Sequence, residues 1–177
     1  SEKDLETQFT DDPKTHSLLL QRLIDTNDAL NRNAAALAQL QQLQGLLAHT
    51  ESVDSDAMLD ARKHTAQILR RLNREPEALV IDEQLLPIFA KRYGVDSEAY
   101  ALLLQGLSSS LDGVGRMQES KNRLIQGGAS MAKLFAKDLA KRVDVVNDAA
   151  VLLTQQALWR EAADTLTTIE PELPALA

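Results

Sequence analysis

Four small residues, Ala36, Ala78, Ser120 and Ala162, stand 42 positions apart with no insertion between them. A fixed period of this length constrains a 177-residue chain more than any other feature, because it implies one supersecondary unit copied and stacked. Just before each small residue lies a hinge, aligned as Asn31, Asn73, Gly115 and Ala157 and followed by Arg32, Arg74, Arg116 and Leu158. Asn and Gly accept the left-handed backbone that ends a helix. The spacing therefore predicts a helix terminus at three hinges and a less regular turn at Ala157. A second anchor keeps the same phase: "VDSDA" at 53–57 returns as "VDSEA" at 95–99, and "DDPKT" stands one period upstream at 11–15. Asp followed by Ser or Pro reads as a helix N-terminus. "KDLAK" at 137–141 keeps Asp138 and loses the rest, which predicts a shorter or more helical connection there.

Between the anchors the apolar residues follow helical spacing. Tyr100, Leu103, Leu104, Leu107, Leu111 and Val114 fall at i, i+3, i+4, i+7, i+11 and i+14, one continuous stripe. Leu69, Leu111 and Leu153 share one phase position, and Ala61, Leu103 and Val145 another. The second helix of each unit carries Leu43 and Leu85, then Ala48, Ala90 and Ala132. No alternating β-branched run is long enough for a strand. The expected fold is all-α, a series of antiparallel helix hairpins. One hairpin cannot cover its own apolar faces, so it stacks on the next into an α-solenoid. Small residues at 36, 78, 120 and 162 let the two helices of each hairpin approach closely.

These residues resemble tetratricopeptide (TPR) repeats, in the longer form found in kinesin light chains and many bacterial signalling proteins. "GRMQES" at 115–120 is similar to the family's turn, Gly-Arg-Tyr-x-Glu-Ala, as are "NREPEA" at 73–78 and "ALWREA" at 157–162, with Trp159 where the family has Tyr. "DDPKT" is similar to the family's inter-repeat stretch, Asp-His-Pro-x-Thr. The resemblance spans about residue 10 to about residue 170. It implies a right-handed α-solenoid of four repeats, a single array over 11–177 with units near 14–52, 56–94, 98–137 and 140–172. Residues 1–10 then read as the tail of a truncated preceding repeat, a partial N-terminal helix. The chain reads accordingly as a fragment of a larger signalling or regulatory protein, with Pro171 and Pro174 stopping its last helix.

A net charge of −7 and a pI near 5.0 make nucleic acid and anionic membrane poor default partners, since both demand a cationic surface. No apolar run approaches the ~20 residues that a membrane span requires. With no cysteine the chain has no disulfide, thiolate metal site or cysteine nucleophile. A cytoplasmic location is expected, with a periplasmic or extracytoplasmic one as the alternative if a membrane segment lies upstream. His16, His49 and His64 share no metal spacing. The Gly-x-Gly of "DGVGR" at 112–116 follows no strand and reads as the repeat turn rather than a phosphate cradle. Ser108, Ser109 and Ser110 have no base placed by spacing to activate them. No catalytic residue, metal ligand or cofactor site is therefore expected, and an enzyme is the least favoured class. Gly127 and Gly128 sit inside a second helix at a cost of about 1 kcal/mol each relative to Ala. Gly127 occupies the phase position of Leu43 and Leu85, which predicts tight packing, with a local kink as the alternative.

The resemblance implies that first helices line a concave face that binds peptides. Carried across by phase, this face takes Gln21, Asp25 and Asp28 from the first unit and Asp60, Lys63, His64, Gln67, Arg70 and Arg71 from the second. The third supplies Gln105, Ser109 and Asp112, and the fourth Asp144, Asn147, Asp148 and Thr154. The second set forms a polar stripe with three permanent cations, which suits an acidic peptide or a C-terminal carboxylate held by arginine forks. Gly106 and Ser109 beside it leave room for a ligand backbone. The plainer reading of each residue alone is the solvated face of an amphipathic helix. The expected function is a non-enzymatic scaffold that binds a protein or peptide on the concave face. Alternatives are a sensing module whose curvature changes on ligand binding, and a self-association module dimerising through the truncated N-terminal end.

Overall fold

The computed structural model describes residues 12–135, 138–155 and 158–167. The expected partial helix at 1–10, the hinge residue Ala157 and the stop at Pro171 and Pro174 lie outside them, as do the side chains of Val145, Asp148 and Trp159. Every element of regular structure among the described residues is an α-helix. In chain order these are α1 (Pro13–Ala29), α2 (Asn33–Thr50), α3 (Asp56–Arg71), α4 (Glu75–Tyr93), α5 (Glu98–Gly113), α6 (Met117–Leu134), α7 (Leu139–Gln155) and α8 (Trp159–Thr167).

The hinges owe their form to one backbone motif. Asn31, Asn73 and Gly115 take positive φ, at 54°, 55° and 79°. At each, the residue itself donates to the carbonyl three back, and the next residue to the carbonyl five back. Arg32 reaches Asn27 O at 2.8 Å, and Arg74 and Arg116 reach Leu69 O and Leu111 O at 2.9 Å. This is the Schellman closure, which satisfies the last carbonyls of a helix. Leu158 makes the equivalent bond to Leu153 O at 2.9 Å, so the fourth hinge keeps this contact although it lacks Asn or Gly.

N-termini are capped in phase but by shifting residues. Asp12 caps α1, accepting from Lys14 N at 3.1 Å and from the Thr15 hydroxyl at 2.5 Å. Ser55 and Ser97 cap α3 and α5, each accepting at 3.2 Å from the amide three residues on. Asp138 accepts from Lys141 N at 3.1 Å, so the degenerate "KDLAK" still begins a helix.

The chain forms two compact units, one through Ile81 and one from Asp82, divided within α4. In the first, α1 packs on α2 and α2 on α3. Its core joins Leu20, Ile24, Leu40, Leu43 and Leu47 to Ala61, Ala66, Ile68 and Leu69, with Ala36 and Ala78 fully buried. Asn27 donates to Gln39 at 2.9 Å in this interior, where the next repeat has Leu69 and Ile81 at the same phase.

In the second unit α5 packs on α6, α6 on α7 and α7 on α8. Ser120 is fully buried and Ala162 nearly so. A Cβ on Gly127 would stand 3.3 Å from Ala101 O and 3.4 Å from Leu104 Cβ, so its absence lets α6 approach α5 closely, and α6 runs unbroken through it. One core position departs from the repeat. Asp82 is buried where Leu40 and Leu124 stand at the same phase, and it accepts from the buried Ser110 hydroxyl at 2.7 Å.

Candidate functional site

In the first unit, polar groups from separate helices come together between α1 and α3. Asp28, near the C-terminus of α1, bonds to His64 Nε2 at 3.2 Å with one carboxylate oxygen. With the other it accepts from the Arg71 guanidinium. Asp28 and His64 are only about a quarter exposed, so this pairing fastens consecutive first helices in a partly dehydrated setting. Lys63 stands 3.4 Å from Asp60 on its own helix, with both groups open to solvent. Arg70 is also engaged, and Gln67 is exposed. The stripe that the spacing marked as cationic thus has its polar groups committed within the chain, Arg71 and His64 to Asp28 and Lys63 to Asp60.

Above this clasp opens a cavity of about 310 Å³ lined from three helices. Ile24, Leu40, Leu43 and Ala61 form its buried apolar floor. Gln21, Asp25, Asp60 and His64 stand around it, with Ala57 alongside. The opening follows from the sequence: Ala61 is small where the same phase position holds Leu103, which is itself buried. Gln21 and Asp25 are exposed and make no hydrogen bond or ion pair among the described residues.

The other candidate positions are less connected. Ser109 is exposed, and its hydroxyl turns back to Gln105 O at 3.2 Å on its own helix. Gln105 and Asp112 are half-buried, Asp144 and Asn147 are exposed, and Thr154 is half-buried. No side-chain bond joins Gln105, Asp112 and Asn147 to one another among the described residues. The Asp28 pairing and the Ala61 opening escaped the sequence reading. The first spans 36 and 43 residues, and only the phase of Ala61 against Leu103 and Val145 carried a trace of the second.

Electrostatic shifts concentrate at the hinges. The Arg74 guanidinium grips Glu77 with two bonds, of 2.6 and 2.7 Å, and Arg116 grips Glu119 in the same way one period later. These bonds hold both glutamates below the ordinary carboxylate range and raise both arginines. Arg116 also reaches Glu83 at 3.0 Å. Glu161, lacking the hinge arginine, is lowered instead by a bond from Lys121. Among the described residues no group of three or more His, Asp or Glu is placed to hold a metal ion, and no helix is long and apolar enough to cross a membrane.

No family model matches the sequence, and no curated protein matches it. Solved structures do match. Two contain nearly identical TPR-like repeats from a chain assigned as a kinesin light chain of Podosopora anserina. One, a single-substitution form, is 18% identical with a TM-score of 0.75, over 95% of this chain and 80% of its own. The second is 20% identical with a TM-score of 0.70, over 90% and 75%. BtubC (BKLC) from P. vanneervenii is 15% identical with a TM-score of 0.76, over 93% of this chain and 66% of its own. These identities speak to fold. TPR-like repeat folds commonly mediate protein–protein interaction. By hinges, packing and structural likeness together, the chain has an all-α, TPR-like helical-repeat fold.

Proposed function

We propose that the chain is a non-enzymatic interaction scaffold that holds a segment of a partner protein along the face shared by α1 and α3. The observation that carries this reading is the convergence of Asp28, His64 and Arg71 from two successive first helices beside a cavity lined by Gln21, Asp25 and Asp60. A helical repeat offers extended surface for binding, and the clasp fixes that surface in one geometry before a partner arrives. Because its cations already hold carboxylates, this face is not a simple anion trap. Recognition rests instead on shape, exposed amides and the carboxylates at the rim.

Pull-down with the 177-residue chain tests the reading. An Asp60→Lys/Gln67→Lys variant, which reverses a rim carboxylate and replaces an exposed amide, is compared with Gln41→Lys/Gln42→Lys, which alters exposed residues of α2. Partner recovery is expected to fall at least tenfold in the first variant and to persist in the second. Equal recovery by both variants contradicts the proposal.

A further inference from the structure

We infer that the cavity between α1, α2 and α3 seats an aliphatic side chain of the partner segment that has a lysine or arginine beside it; this deepens the inner-face reading and rests on it. The floor decides the first half. Ile24, Leu40, Leu43 and Ala61 offer only apolar surface, and burying a polar side chain there would leave its hydrogen bonds unmade. A volume of about 310 Å³ is at the small end for ligand pockets, so it admits one such side chain and its flanking backbone rather than a large cofactor.

The rim decides the second half. Asp25 is exposed and has no hydrogen-bond or ion-pair partner among the described residues. Asp60, on α3, has only the long 3.4 Å contact with Lys63. His64 is tied to Asp28, so its ring is held by a further carboxylate. An acidic neighbour of the buried side chain would meet Asp25 without compensation. A lysine or arginine would lay its stem across the cavity mouth and bring its head to Asp25 in a setting still open to water. Gln21 is placed one helical turn before Asp25 and has donor and acceptor free for the segment's backbone.

The test uses a synthetic dodecapeptide array in which a central Leu, Ile, Val or Ser is flanked by Lys, Gln or Glu. It is probed with the full chain and with Asp25→Lys and Ala61→Leu. Capture of Leu- and Ile-centred peptides flanked by Lys should exceed that of their Glu-flanked counterparts at least tenfold. Asp25→Lys should invert the preference, and Ala61→Leu, which fills the cavity as Leu103 fills its own position, should weaken capture at least tenfold. Asp25 is exposed, so its variant keeps the test decisive if the core substitution unfolds the chain. Capture that both variants leave unchanged overturns the cavity and leaves the scaffold reading standing. A concentration-dependent dimer lost in Ala61→Leu makes a second copy the occupant and overturns the inference. Failure to capture any peptide overturns both readings.

Discussion

Ser108 and Ser120 cross where the preceding repeat has Ala66 and Ala78, and both serines are buried. Ser120 donates its proton to Ser108 O at 2.8 Å, so the 2.9 Å contact between the hydroxyls has Ser108 as donor. Both hydroxyl protons thus find acceptors without widening the crossing. Ser120→Ala strands the Ser108 donor and is expected to cost about 1–3 kcal/mol in urea denaturation. Ser108→Ala/Ser120→Ala recreates the alanine pair and should recover much of that loss, a coupling that a double-mutant cycle reads directly. At the hinge, Asn73→Ala places an ordinary side chain at φ 55° and should destabilise by about 1–2 kcal/mol, while Asn73→Gly should be nearly neutral.

Whole helices are positioned by absences as much as by contacts. Gly127 lets α6 lie against Ala101 and Leu104 of α5, so restoring the repeat's usual leucine by Gly127→Leu forces these helices apart. An expected loss of about 1–3 kcal/mol, from chemical denaturation, checks this. The hinge clips add a dependence on pH. Bonds from Arg74 and Arg116 depress Glu77 and Glu119 in the folded chain, and bonds from Thr15 and Lys14 depress Asp12. Groups so depressed contribute stability that is complete above their unfolded values and is lost as pH falls through the lower folded ones. Melting temperature should therefore fall on acidification through and below the ordinary carboxylate range. In Glu77→Gln/Glu119→Gln that decline should be shallower, and an unchanged slope contradicts the assignment.

Across the molecule, what the sequence made legible is what the 42-residue period repeats: helix ends at Asn31, Asn73 and Gly115, and the all-helical fold. Local backbone chemistry determines those features, so identity and phase suffice to find them. The Asp28 clasp, the Asp82–Ser110 pair and the cavity over Ala61 depend on which side chains meet between helices. No single stretch encodes such meetings, and Asp82 in a leucine position even opposes the pattern. In the proposed function, consecutive first helices, held in register by Asp28, present one binding face between α1 and α3. Amide chemical-shift mapping during titration with the array's best-captured peptide tests it most directly. The largest shifts are expected at Gln21, Asp25, Asp60 and His64, and shifts centred instead on the exposed residues of α2 would contradict a binding face there.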